Sequence, residues 1–205
     1  MNVFREVADI KTADQLQLPT PQVKYETVVV RPTAQQEEMV QALSERAAAV
    51  HNKQVDPTVD NMLKITSDGR KLGLDQRLIN PLLPDDPGSK VNACVQNIVR
   101  IWREGAAEKL TQLVFCDLST PRGKAASGKE AADETGSENF NVYDDIRAKL
   151  IAQGIPQEQI AFIHEANTEV RKKELFAKVR SGQVRVLMGS TAKMGAGTNV
   201  RATRL

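Results

Sequence analysis

The chain has 205 residues, of which 40% are hydrophobic and 26% are charged, and its formal net charge at pH 7 is +2. This balance is typical of a globular protein and argues against a disordered chain. No stretch approaches the roughly 20 apolar residues of a membrane-spanning helix, and the first residues, which include Glu6 and Asp9, do not match a signal peptide. We therefore expect a cytoplasmic protein of one or two domains with no membrane partner.

The cysteines and histidines of the chain predict no metal site. Cys94 and Cys116 are the only cysteines, and His51 and His164 are the only histidines. Neither pair has the close spacing that zinc ligands show in a sequence. We expect both cysteines to be buried thiols, because a free cysteine behaves as a small hydrophobic residue.

The first part of the chain predicts a connector followed by helices. After a start punctuated by prolines, Lys24 to Arg31 contains three consecutive valines and predicts a strand. Thr33 and Gln36 match a capping box, which starts an amphipathic helix that ends near His51. The following helices are predicted to be short pieces broken at Ser67 to Gly69. The basic residues of this region allow a solvated helical face or a DNA-facing role. They are Lys64, Arg70, Lys71 and Arg77.

From Pro87 onward, helices and strands alternate. The predicted elements are a helix capped by Ser89, a strand from Gln112 to Leu118, a helix from Val142 that ends at Gly154, a strand from Ile160 to His164, a helix from Thr168 to Ser181 with Val170, Leu175, Phe176 and Val179 inward, and a strand from Val184 to Met188. Such alternation implies parallel strands and an α/β fold. Ligands of such sheets bind at the carboxyl ends of the strands.

The segment 122–140 predicts a disordered insertion, because it is rich in small and charged residues without an apolar period. Within it, Gly123 to Lys129 fits the G-x-x-x-x-G-K pattern of a phosphate-binding loop. Glu130 stands where that loop needs the hydroxyl of serine or threonine as a magnesium ligand. We therefore interpret the match as a coincidence of composition.

The loop Ser190 to Asn199 is the strongest functional signal. It follows a buried strand, and Gly189, Gly195 and Gly197 permit positive φ and close approach of the backbone to a ligand. Its hydroxyls, amides and lysine suit a phosphate or a ribose. By spacing alone, a plain glycine-rich turn between a strand and a helix is equally compatible.

Three segments resemble the Swi/Snf-type branch of superfamily-two helicases. Met188 to Val200 resembles motif V of that family, Gln112 to Ser119 resembles motif IV, and Phe162 to Arg171 is similar to the strand, turn and helix between them. Asp60 to Asp75 also resembles large phage and mobile-element proteins that join a helicase to a DNA adenine methyltransferase. The resemblance implies an α/β, three-layer RecA-like second lobe at 87–205, truncated at its C-terminus, after a mostly helical linker at 1–86.

The resemblance also implies roles for individual residues. The residues implied to contact the DNA backbone are Ser119, Thr120, Ser190, Thr191 and Lys193. Those implied to lie toward the nucleotide are Gly195, Gly197 and Asn199. Hydroxyls, amides and lysines make phosphate contacts that position a protein on DNA without reading its sequence.

The implied parent protein is an ATP-dependent DNA translocase. Its partners would be duplex DNA, a first RecA-like lobe that is missing here, and a fused or associated DNA methyltransferase. ATP with Mg would bind the intact parent but not this chain tightly, because no Walker A, Walker B or arginine-finger motif is present, and no catalytic residue is assigned. Two alternatives remain: a non-enzymatic nucleic-acid-binding or protein-interaction module with a RecA-like fold, and a nucleotide-binding enzyme that uses Gly123 to Lys129.

Overall fold

The computed structural model describes residues 8, 11, 13–16, 22–121 and 140–195. The helices are α1 (Ala13–Leu16), α2 (Ala34–His51), α3 (Met62–Leu74), α4 (Lys90–Glu104), α5 (Val142–Ala152), α6 (Glu169–Arg180) and α7 (Thr191–Met194). The strands are β1 (Gln112–Phe115), β2 (Ile160–Phe162) and β3 (Val186–Gly189). Within these residues, no helix is both long and apolar enough to cross a membrane.

The three strands form one parallel sheet in the order β1-β3-β2. Successive residues of the central strand β3 face opposite sides of this sheet. Val186 and Met188 belong to the larger apolar core, which α4 and α5 share, whereas Leu187 packs with Val179 of α6 in the smaller core. The predicted parallel α/β arrangement is therefore confirmed for the described residues.

Local capping signals set the starts of the main helices. The Thr33 hydroxyl accepts the Gln36 amide at 3.2 Å, while the Gln36 side chain accepts the Thr33 amide at 3.0 Å, as the capping box predicts. Ser89 and Thr168 cap α4 and α6 through the same kind of bond. At the other end of α5, Gly154 has φ of +93° and stops the helix, also as predicted.

Two predictions for the first 86 residues are wrong. Lys24 to Arg31 is extended but pairs with no strand among the described residues, and Val28 and Val29 are exposed. The strand propensity of β-branched residues has an effect only where a partner strand is available. The predicted break at Ser67 to Gly69 does not occur, since α3 runs through it. Asp68 in this stretch binds Arg46 of α2 at 2.9 Å, so packing between helices overrides the local turn signal.

Other differences concern single residues. Val170 is 66% exposed on α6 rather than inward. Cys94 and Cys116 are free thiols as predicted but are only half-buried. The strand predicted from Ile160 to His164 ends at Phe162 and continues as a short 3-10 turn, Ile163–Glu165. Residues 122–139 of the predicted insertion, the pattern Gly123 to Lys129 and the loop beyond Gly195 lie outside the described residues. Phe140, the last residue of the predicted insertion, is described and packs against the larger core.

Arg77 is neither on a solvated face nor turned toward a ligand, in contrast to both sequence interpretations. It is buried just after α3, and its guanidinium binds Asp75 at 2.8 Å and Asp145 of α5 at 2.9 Å. The same group lies 4.1 Å from the ring centroid of Phe140. These contacts tie the region before Pro87 to the helices around the sheet.

Candidate nucleic-acid interface

The carboxyl ends of β1 and β3 lie side by side. Phe115 is in register with Gly189, and the Cys116 amide donates to the Gly189 carbonyl at 3.0 Å. The loops after both strands therefore start from one edge of the sheet, where α/β proteins bind their ligands. We call the polar residues of this edge the strand-end surface. It comprises Asp117, Ser119, Thr120, Ser190, Thr191 and Lys193.

Asp117 joins the two loops of the strand-end surface. Its carboxylate accepts the Thr191 amide at 2.6 Å and the Thr191 hydroxyl at 2.9 Å. These two bonds, together with the charge of Arg70 on α3, hold the pKa of Asp117 below its ordinary value, because they stabilise the ionised carboxylate. The side chain of Asp117 is exposed, so a ligand that approaches this edge can reach it.

Ser119 and Thr120 follow β1 at the same edge. Ser119 has φ of +56°, a left-handed conformation that is uncommon for residues other than glycine. Its hydroxyl oxygen accepts the Val142 amide at 3.0 Å, at the start of α5. This bond uses one of its two lone pairs, and its hydrogen could still be donated to a phosphate oxygen. Thr120 is half-buried. Ser119 therefore has a structural role beside the predicted phosphate contact.

Ser190 and Lys193 differ in access to solvent. Ser190 is only 8% exposed, and although it stands at the N-cap of α7, its hydroxyl makes no capping bond. Lys193 is exposed two residues after the N-terminus of this helix. The lysine therefore has the access that a DNA contact needs, whereas Ser190 can contribute only through a small part of its surface.

His164 lies next to this surface although sequence reasoning assigned it no role. Burial lowers the pKa of His164, and the nearby charge of Lys193 lowers it further, while Glu165 acts in the opposite direction. The buried Nδ1 of His164 has no hydrogen-bond partner among the described residues. Its ring packs edge-on against Tyr143 at 5.4 Å between centroids. At pH 7 the imidazole of His164 is therefore neutral, and it lies near Lys193.

Gly189 and Gly195 do not adopt the positive φ that glycine permits. Gly195 has φ of −76°, and Gly189 lies within β3, so neither has the predicted left-handed backbone. A Cβ atom on Gly189 would lie 2.4 Å from Ile163 Cγ2, which explains the glycine by close packing. Gly197 and Asn199 lie outside the described residues. The nucleotide-facing role of these residues stays a prediction.

Sequence reasoning assigned no role to Asp117 and did not predict the position of Arg70. The place of Asp117 at the end of a strand of a parallel sheet was a usable signal, because ligands of such sheets bind at the carboxyl ends of the strands. The charge of Arg70 acts on Asp117 across 47 positions of sequence, and no local pattern predicts such proximity. Within the described residues, no group of three or more histidines, cysteines and carboxylates could hold a metal ion.

We expect the Asp117 to Thr191 bonds to persist in moderately acidic solution. The pKa of Asp117 is lowered from 3.8, so this link is present above that value and is lost as the pH falls through the lower value in the folded protein. The Thr191 amide resonance, followed by NMR against pH, should shift with a midpoint below 3.8. A Thr191→Val variant should move the Asp117 midpoint back toward 3.8. A midpoint at or above 3.8 in the unmodified protein would contradict the geometry.

The chain matches no protein-family model, no curated protein sequence and no solved structure.

Proposed function

We propose that this chain is part of the second RecA-like lobe of a Swi/Snf-type DNA translocase, and that its strand-end surface contacts the phosphates of duplex DNA. The observation that carries the proposal is the pair of bonds between Asp117 and Thr191. They bring the loops after β1 and β3 together, so that the five residues assigned to DNA from the sequence lie along one edge of one sheet. Lys193 and Arg70 are exposed cations, and they and the hydroxyls of Ser119 and Thr120 are donors of the kind that phosphate contacts use. The Thr191 amide and hydroxyl already donate to Asp117.

In the intact parent, ATP and Mg would be held between this lobe and a first lobe, and the residues proposed to face them are Gly195, Gly197 and Asn199. No catalytic residue is proposed in this chain. ATP would supply the energy for movement along DNA, while this chain would supply backbone contacts. We also propose a fused or associated methyltransferase. This part of the proposal depends only on the resemblance of Asp60 to Asp75.

A salt titration tests the DNA contact. Duplex DNA should bind weakly and with a steep dependence on salt, because phosphate contacts release counterions. Removing a phosphate-contacting lysine should weaken binding to all sequences and reduce the slope of log affinity against log salt by about 1. We therefore expect Lys193→Ala to show both effects in fluorescence anisotropy with a labelled duplex, and Ser190→Ala to weaken binding to a smaller extent because Ser190 is mostly buried.

Lys178→Ala is the matched control, because Lys178 is an exposed lysine in the last turn of α6 and lies beside Arg185, which precedes β3 at the opposite end of the sheet. It should leave the salt slope unchanged. Asp117→Asn removes a negative charge from the surface and keeps an acceptor for the Thr191 amide, so it should strengthen binding. The proposal would be wrong if Lys193→Ala and Lys178→Ala gave the same slope, or if duplex DNA did not bind at low salt.

A further inference from the structure

Arg185 lies at the opposite end of the sheet and takes no part in the strand-end surface. It immediately precedes β3 and is only 4% exposed. No carboxylate within the described part of the chain forms an ion pair with it. A buried charge normally has a partner of opposite charge, because leaving water without one is costly. Arg185 therefore needs an explanation that the proposed DNA contact does not supply.

The guanidinium of Arg185 is held in a defined position. Its Nε donates to the Leu110 carbonyl at 3.2 Å, and one Nη donates to the Trp102 carbonyl at 2.6 Å. Trp102 lies in the last turn of α4, and its ring centroid is 5.2 Å from the guanidinium carbon. A guanidinium has five N–H groups, and these two bonds use two of them. The others remain to bind a ligand.

Arg185 lines a cavity of about 480 Å³ together with two lysines. The charged residues of this cavity are Lys109, Lys178, Arg185 and Glu158, and its amide side chains are those of Gln159 and Gln183. Neither lysine forms an ion pair within the described residues, and both are exposed. Three cations thus face one carboxylate. The volume lies within the range of roughly 300–1,000 Å³ that is typical of small-molecule sites.

The wall of this cavity is fixed by contacts that involve its own residues. The Trp102 indole donates to the Gln159 side chain at 2.7 Å, and the Arg185 amide donates to the Gln159 carbonyl at 2.9 Å. Lys109 packs against Gly182, where a Cβ atom would lie 2.6 Å from Lys109 Cβ. Gly182 has φ of +72°, which suits glycine. A site whose walls are already ordered loses little entropy when a ligand binds.

We propose that this cavity binds a small ligand that carries two or more phosphate groups, with Arg185 as the buried anchor and Lys109 and Lys178 as the flanking cations. Arginine is suited to phosphate because its planar N–H groups can bind two oxygens at once. The three cations along the wall match the negative charge of two phosphate groups better than that of one. The negative charge of the Glu158 carboxylate repels the phosphate groups and limits the affinity of the ligand. This site is independent of the strand-end surface and of the proposed translocase activity.

The test uses tripolyphosphate, inorganic phosphate and duplex DNA as probes, with binding followed by isothermal titration calorimetry. Tripolyphosphate should saturate one site and bind more tightly than inorganic phosphate. Lys109→Ala and Lys178→Ala should each weaken tripolyphosphate binding roughly two- to fivefold, which is the effect of one screened charge pair. Glu158→Gln should strengthen it. These variants leave Arg185 in place, so they do not depend on whether the protein tolerates its loss.

Lys173→Ala and Lys193→Ala are the controls, because neither residue lines the cavity. The proposal is overturned if the probes do not saturate, or if Lys109→Ala and Lys178→Ala have no more effect than these controls. It is also overturned if duplex DNA displaces tripolyphosphate and Lys109→Ala weakens DNA binding, since the cavity would then belong to a DNA path. Loss of DNA binding by Lys193→Ala with tripolyphosphate binding intact would support two separate sites.

Discussion

Arg77→Ala should cost about 3–5 kcal/mol of unfolding free energy, the loss typical of breaking a buried ion pair. The guanidinium of Arg77 binds Asp75 at 2.8 Å, Asp145 at 2.9 Å and Asp85 at 3.0 Å. Asp75 is 2% exposed and Asp145 17% exposed. Without the arginine, these carboxylates would have less compensating charge, because Lys149 would be the only cation among the described residues that still pairs with Asp145 and Asp85. Urea unfolding followed by circular dichroism measures the effect.

Arg46→Ala is the matched comparison for this prediction. Arg46 also binds two aspartates, Asp60 at 2.7 Å and Asp68 at 2.9 Å, but its side chain is 38% exposed. Surface ion pairs contribute little because water screens them, so the variant should lose about 1 kcal/mol or less. Equal losses for the two variants would show that Arg77 does not act as a buried charge centre.

Gly189→Ala should destabilise the protein by about 1–3 kcal/mol, the usual cost of overpacking a core. The added Cβ would lie 2.4 Å from Ile163 Cγ2 and 2.8 Å from the Met194 sulfur. Both neighbours belong to the smaller core, and Ile163 is fully buried, so neither has free space. The strand end at Gly189 would have to shift relative to β1, and the Thr191 amide resonance should move with it. Chemical denaturation with NMR would detect both effects.

Gly73→Ala tests whether any glycine replacement has this effect. Gly73 lies within α3, and the nearest atom to an added Cβ would be the flexible Lys90 Nζ at 4.0 Å. Alanine favours a helix over glycine by about 0.8–1.0 kcal/mol, so this variant should become more stable. A similar destabilisation of both variants would remove the packing explanation for Gly189.

Much of the fold could be predicted from local patterns. The capping pair Thr33 and Gln36 lies three positions apart, and Gly154 ends its helix through its own backbone geometry. Such signals act within one turn of chain and need no knowledge of distant residues. The alternation of helices and strands after Pro87 likewise indicated a parallel sheet, because only a crossover connects neighbouring parallel strands.

The errors arose where a distant partner decides the outcome. The valines before Arg31 have strand propensity but no neighbouring strand in the described part of the chain, and Gly69 lies in an unbroken helix. In the candidate site too, residues were predicted from local sequence but contacts between distant residues were not. Sequence reasoning selected Ser119, Thr191 and Lys193 at the strand ends, but it did not predict that the Ser119 hydroxyl accepts a bond from the start of α5.

The sequence by itself determined where α2, α4, α5 and α6 begin, because capping signals depend on residues a few positions apart. The alternation of helices and strands also indicated that the strands of the sheet run parallel. Only the tertiary structure decided which charged residues are buried and which loops meet. Arg77 reaches Asp145 across 68 positions, and Asp117 reaches Thr191 across 74. Such pairs form because folding brings their helices and strands together. For Arg77 and Asp145, the cost of burying a charge also makes each partner necessary to the other.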